Sequence, residues 1–236
     1  MKLASIVPMK NVNRTFDGDY AMLLTHLADY YPNKHPRNCY VIMDNSLIEL
    51  GKAASIEATY DAAIKCNANE IILPDVFRDK WLTLERVRES IDWLLYDVHD
   101  FHPFNLMAVC QGNTAADFID CFHTLCAMPE IHCIGIPKVA ETLLPEGRPG
   151  FEPLWRNCSK RIHLLGCWTS LDEMKQYKHP ELIRSCDTCI PALLSTREIY
   201  DVWARRPEKT IDLLYDEINP YVYEELLTQL REERLV

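Results

Sequence analysis
The chain has 236 residues, 48% of them hydrophobic and 25% charged, a balance ordinary for a globular protein and long enough to bury a sizeable core as one large domain, residues 1–236. The formal charge of -10 argues against broad, non-specific affinity for nucleic acid, because phosphate contacts need local Lys and Arg. No apolar run approaches the roughly 20 residues that span a bilayer, so no membrane partner is expected, and residues 1–8 are too short in apolar length for a signal peptide.

In chain order, a strand near residues 3–7 leads into a polar loop from 10 to 19 and a helix from about 20 to 31. A second strand, 39–43, ends at Asp44, and a helix from about 55 to 66 opens at Ser55 with Glu57 nearby. A third strand, 70–73, precedes Asp75. Leu84, Val87, Ile91, Leu94, Leu95 and Val98 then recur at a helical period through 82–98. A fourth strand at 105–110, a helix at 115–127 and a fifth strand at 131–134 continue the rhythm. Pro145, Gly147, Pro149, Gly150 and Pro153 mark a loop over 145–159, expected to be mobile and to lie over an active-site mouth. A sixth strand at 161–165, a helix at 170–177 and a seventh strand at 182–186 bring the chain to Asp187. An eighth strand is expected at 209–214 and an amphipathic helix at 221–234. Strand after helix means a parallel sheet, and the count favours a (β/α)8 barrel of the TIM type, with a doubly wound open sheet as the alternative.

The ten cysteines sit mostly in apolar runs, as Cys39, Cys110 and Cys133 do, and without an export signal they read as reduced thiols of a cytoplasmic protein. Three basic clusters stand out: Arg78, Lys80, Arg86 and Arg88; Lys160 and Arg161; and Arg197, Arg205, Arg206 and Lys209. Each is either a solvated helix face or a local support for a phosphate backbone.

Residues at the carboxyl ends of barrel strands line the active face. Asp187 follows the apolar Leu182-Ile183, between small polar residues and just before Pro191, so it is placed for chemistry or for an ordinary helix cap. Apolar runs with polar or glycine ends recur at Tyr40–Asn45, Ile71–Asp75, Leu106–Gly112, Ile131–Pro137 and Ile162–Gly166. Together these segments resemble the transglycosylases that exchange guanine for a 7-deazaguanine base in nucleic acid. In that family an Asp-Ser-Gly-Gly-aromatic-Gln segment, a base-reading Asp, a Gln-Gly, a Gly-containing strand end, a Leu/Met-Gly and an Asp-Cys-x-x-Pro nucleophile segment occur in this order.

The resemblance implies that Asp187 is the nucleophile, since Asp187 and Pro191 keep the family's spacing, and that Asp44 is its acid/base or base-positioning partner. Breaking a bond from C1' to a base nitrogen places positive charge on the sugar, and two carboxylates with separate roles suit that chemistry. By the same resemblance Asp75 accepts from the N1-H and 2-amino edge of the base, and Gln111 binds its carbonyl. Gly112 and Gly135 let backbone approach the base, and Leu165 and Gly166 pack against one of its faces. Each also has an ordinary explanation: Pro74-Asp75 and Gln111-Gly112 as turns, Leu165 as core.

The departures are informative. Asn45, Ser46, Leu47 and Ile48 stand where the family has small residues and a stacking aromatic, and Glu49 where it has Gln, so an apolar face survives without the aromatic. The queuine-type transfer-RNA enzymes hold a structural zinc with three Cys and one His after the nucleophile segment. Here no Cys follows Cys189 and no His follows His179. A single CxxC, Cys186 to Cys189, with no second pair is a weak metal signal, so neither metal nor other cofactor is expected. The short chain without a zinc subdomain is most similar to the compact DNA-modifying branch, which includes virus-encoded members acting in the host cytoplasm. The partners implied are DNA, less readily transfer RNA, and a free 7-deazaguanine base; a homodimer is compatible with this. A barrel hydrolase acting on a small nucleoside or sugar metabolite, and a non-catalytic binding protein, stay open beside it.

Overall fold
The computed structural model describes residues 1–12, 20–31, 39–98, 104–167, 172–204, 206–208 and 210–233. Eight parallel strands close into a barrel in chain order: β1 (Lys2–Ser5), β2 (Tyr20–Leu24), β3 (Tyr40–Asp44), β4 (Glu70–Ile72), β5 (Asn105–Val109), β6 (Cys133–Ile136), β7 (Arg161–Leu164) and β8 (Ile183–Thr188). The ring shuts where β1 pairs with β8, Leu3 against Cys186 and Ala4 against Asp187. Between and after the strands lie α1 (Leu47–Leu50), α2 (Ile56–Lys65), α3 (Lys80–Tyr96), α4 (Ala115–Ala127), α5 (Glu152–Trp155), α6 (Ile190–Ser195) and α7 (Pro220–Glu232). The architecture is the expected (β/α)8 barrel. The longer helices begin where a short polar side chain accepts a backbone N–H: Ser55 for α2, Asp79 for α3, Thr114 for α4 and Asn219 for α7.

Two elements differ from the sequence expectation and compensate in the count. Residues 20–24, expected to begin a helix, form β2, which pairs with β1 and along its whole length with β3. A barrel strand is covered on both faces, so Ala21-Met22-Leu23-Leu24 reads as a continuous apolar run without the alternation that marks a strand. Residues 210–214, expected as the eighth strand, are irregular, and Lys209 lies outside the described residues. Asp212 Oδ1 accepts from the N–H groups of Leu214 and Tyr215, closing a turn, and the place beside β1 is already filled by β8. The helix expected at 170–177 is a 3-10 turn, Asp172–Gln176, with residues 170 and 171 outside the described set.

Two further expectations are corrected. Cys126, at the end of α4, and Cys158, just before β7, form a disulfide, and the other eight cysteines are not disulfide-bonded. The bonded pair is half-buried, unlike the thiols of Cys110 and Cys133. The loop over 145–159 is pinned rather than free: Arg148, Phe151 and Trp155 are buried, and α5 lies within it. Among the described residues no helix is long and apolar enough to cross a membrane.

The barrel interior is layered. Ala4, Met22, Ile42, Ile72, Met107 and Cys133 fill its middle, apart from the larger core between strands and helices. Towards the amino-terminal end the filling turns polar. Arg184 donates through both terminal nitrogens to Glu70, at 2.6 and 3.1 Å, and Glu70 also accepts from the Tyr40 hydroxyl. The β7–β8 register shifts so that Ile162 faces Ile183 but His163 faces Ser185. Arg184 is thus the extra residue of a bulge, and both Arg184 and Ser185 find partners inside the ring. Glu70→Ala would strand the Arg184 guanidinium, so we expect a loss of about 3–5 kcal/mol in urea unfolding, largely recovered when Arg184→Met is added. An unchanged midpoint for Glu70→Ala would show that the pair is not shielded from water.

Candidate active site
The carboxyl ends of the strands surround a cavity of about 400 Å³. Asp44, Asn45, Asp75, Gln111, Leu165, Gly166 and Asp187 line it, although they come from five separate strand ends. Gly112 and Gly135, expected beside them, do not line it. A Cβ on Gly112 would stand 2.5 Å from the backbone nitrogen of Phe118, so this glycine lets the first turn of α4 dock on the end of β5. A Cβ on Gly135 would stand 2.8 Å from Leu165 Cδ1, so its absence gives Leu165 room to lie across β6 and form part of the cavity wall.

Asp75 is 2% exposed, and each of its carboxylate oxygens accepts one side-chain hydrogen bond. Asn45 Nδ2 donates to its Oδ1 at 2.8 Å, and Gln111 Nε2 to its Oδ2 at 2.7 Å. The two amides are themselves fixed, because Asn45 also donates to the Leu73 carbonyl while Gln111 Oε1 accepts from the Arg78 N–H. Burial nevertheless outweighs these hydrogen bonds and raises the Asp75 carboxyl to about 6.

Asp44 ends β3. Its Oδ2 accepts from the Ser46 N–H at 2.7 Å, an arrangement that holds Ser46 in the left-handed region at φ 59°. Burial, and then the charges of Glu49, Asp187 and Asp75, hold its carboxyl well above the usual carboxylate range. Asp187 lies inside β8, one residue before its end. Its Oδ1 accepts from the Gly166 N–H at 2.9 Å and meets His163 Nε2 at 3.2 Å. Gly166 sits at φ 69°, a conformation that glycine adopts without a Cβ penalty, and so brings its N–H to the carboxylate. Asp187 Oδ2 accepts no hydrogen bond among the described residues.

Several lining residues carried no sequence signal. Phe77, half exposed after β4, is one of these and brings an aromatic face from a different loop than in the resembled family, whereas Ile48 of α1 stands where an apolar face was expected. Lys138 lines it too, but its ammonium is bound by Glu141 and Glu173, at 2.6 and 2.9 Å. Glu49 and Glu141 add two more carboxylates to the rim. Of the basic clusters, Arg86 acts on Asp75 through its charge, but several members are placed elsewhere. Lys80 bridges α3 to Asp117 and Asp120 of α4, and Lys160, just before β7, and Arg161, its first residue, lie at the opposite end of the barrel. Arg205 and Lys209 lie outside the described residues. No three His, Cys, Asp or Glu among the described residues gather as a metal site.

No protein-family model matches the sequence, and no curated protein matches it.

The raised Asp75 and Asp44 carboxyls give a pH dependence of definite sign. Both states are protonated below about pH 4, the ordinary aspartate value, so whatever these groups contribute to stability is complete there. As pH rises towards 6 the unfolded chain releases the Asp75 proton first, and stability is lost. A raise from 3.8 to about 6 corresponds to about 3 kcal/mol. Urea unfolding followed upwards from pH 4.5 should show falling stability, with a shallower fall in Asp75→Asn. Equal slopes in the two proteins would contradict the burial argument.

Proposed function
We propose that the chain is a base-exchange transglycosylase, replacing guanine with a 7-deazaguanine derivative in DNA through a covalent link between Asp187 and the sugar. The observation that carries this reading is the division of labour among three aspartates in one cavity. Asp75 is clamped by two amides, burial and acidic neighbours raise the Asp44 carboxyl and so favour its protonated form, and Asp187 lines the cavity with one carboxylate oxygen hydrogen-bonded and the other accepting no hydrogen bond among the described residues.

Asp75 accepts the N1-H and 2-amino edge of the base, since each of its oxygens keeps a lone pair beyond its amide partner. Gln111 Nε2 retains a second N–H for the ring carbonyl. Phe77, Ile48 and Leu165 supply the apolar faces. Asp187 Oδ2 attacks C1' as the bond to guanine breaks. The electron pair of that bond leaves with the base, and Asp44 gives it a proton. The incoming base then attacks C1' through its ring nitrogen and releases the Asp187 carboxylate, while the Asp44 carboxylate takes the proton of that nitrogen. In duplex DNA the guanine must first leave the stack.

A second reading, exchange or hydrolysis on a small nucleoside, is favoured by the rim. Asp44, Glu49, Asp75, Glu141 and Asp187 face the cavity against one lysine that is already paired, which opposes a phosphate backbone. Incubation with guanine-labelled DNA, transfer RNA and guanosine, each with a set of 7-deazaguanine bases, separates the substrates by label release. Release from guanosine alone would replace the polymer reading.

With the incoming base withheld, a denaturation-resistant protein–DNA species should accumulate. In Asp187→Asn this band should vanish and exchange should fall by several orders of magnitude while folding is kept; normal guanine release in that variant would place the covalent carboxylate elsewhere. Asp75→Ala should weaken exchange by about 2 kcal/mol, the scale of a lost charge-assisted hydrogen bond, and full activity would remove it from base reading.

A further inference from the structure
We propose that His163 is the positioning residue of Asp187: a neutral imidazole whose Nε2–H holds one carboxylate oxygen so that the other faces the sugar, in a tautomer fixed by Arg184 through Ser185. The role of Asp187 as nucleophile rests on the transglycosylase reading; the tautomer does not.

His163 is fully buried in the middle of the barrel, with Nε2 at 3.2 Å from Asp187 Oδ1 and Nδ1 at 2.7 Å from Ser185 Oγ. Which nitrogen carries the proton follows from the other end of the chain. Arg184 Nε donates to Ser185 Oγ at 3.0 Å, and a guanidinium has no acceptor and does not lose its proton. The serine oxygen has room to accept a second bond, but its single proton has no acceptor among the described residues other than His163 Nδ1, and a buried hydroxyl proton is not left unpaired, so the hydroxyl donates to Nδ1. Nδ1 is therefore bare, Nε2 carries the hydrogen, and the hydrogen points at Asp187 Oδ1. Burial pushes the imidazole's proton affinity down, in keeping with a neutral ring.

Arg184 cannot drift from this task, because Glu70 grips it at 2.6 and 3.1 Å and is itself held by Tyr40. Hydrogen bonds thus run outward from Arg184 in both directions, to Glu70 at one end of the barrel and to Asp187 at the other. Since Arg184 keeps its protons, the chain conducts none; it orients. The β8 bulge makes it possible, for without the extra residue Arg184 and Ser185 would face opposite sides of the sheet. At Asp187 the Gly166 N–H and His163 Nε2–H both fall on Oδ1, which leaves Oδ2 without a hydrogen bond among the described residues in a side chain that lines the cavity.

The test has two arms. Imidazole nitrogen NMR on the wild-type protein should show His163 neutral and protonated at Nε2, and Ser185→Ala should mix the tautomers. A ring protonated at Nδ1, or charged, would overturn the proposal. In the second arm covalent-adduct formation and exchange are compared in His163→Gln, whose longer amide places an N–H near the site of Nε2–H, and His163→Asn, which is too short to reach Asp187. The Asn variant should lose about 100-fold in kcat with KM nearly unchanged, and Gln should recover most of the loss. Equal rates in Asn and Gln would reduce His163 to a space-filling group. Should wild-type protein show the Nε2–H tautomer yet exchange no base, the transglycosylase reading fails and the orientation of the carboxylate stands; exchange with an Nδ1–H ring has the opposite meaning.

Discussion
Closure of the ring is the constraint from which everything at the mouth follows. β1 and β8 are separated by most of the chain, and their pairing sets Ala4 beside Asp187 and completes the wall on which Asp187 stands. Asp44, Asp75, Gln111, Gly166 and Asp187 belong to different strand ends and share no local segment that would assemble them alone. Each approach requires a long loop to close before contacts reward it, so the cavity exists only when the whole barrel does. A fragment lacking either end would lose the site along with the fold.

Within that ring the protein accepts an electrostatic cost. Three aspartates converge where burial disfavours charge, and the carboxyls of Asp44 and Asp75 rise accordingly. Amide donors from Asn45 and Gln111 offset part of the cost at Asp75, and Gly166 and His163 serve Asp187. Asp44 has one backbone donor and three acidic neighbours. Sites arranged for reaction rather than stability have this character, since replacing such groups with neutral ones commonly strengthens a fold while removing its chemistry.

Much of the mouth was legible in the sequence because a barrel puts polar strand ends on one face, and Asp44, Asp75, Gln111 and Asp187 could be recognised as such ends. What escaped depends on information a linear pattern does not hold. β2 was hidden because two-sided burial erases alternation. Arg184 and Ser185 share the interior through a bulge, and a bulge is a pairing relation between β7 and β8 rather than a property of either. His163 sat in view between Ile162 and Leu164, a polar residue in an apolar strand, yet its significance appears only when Ser185 and Asp187 stand on the neighbouring strand. The glycines misled in a specific way: Gly112 and Gly135 do permit close approach, but to α4 and to Leu165.

The segment rich in Pro and Gly has the composition of a lid and the construction of a bolt. Arg148, wholly buried, donates to the carbonyls of Ile136 and Leu165 at the ends of β6 and β7, and to both oxygens of Glu173. Swinging this segment outward would expose those carbonyls and strip a guanidinium of its partners in one movement, a change far larger than the binding of a base can drive. The wall behind Leu165 and Gly166 is therefore set before any ligand arrives. A ligand entering from that side meets a finished surface, gives up little to loop ordering, and is selected by its shape rather than by its power to reshape the protein.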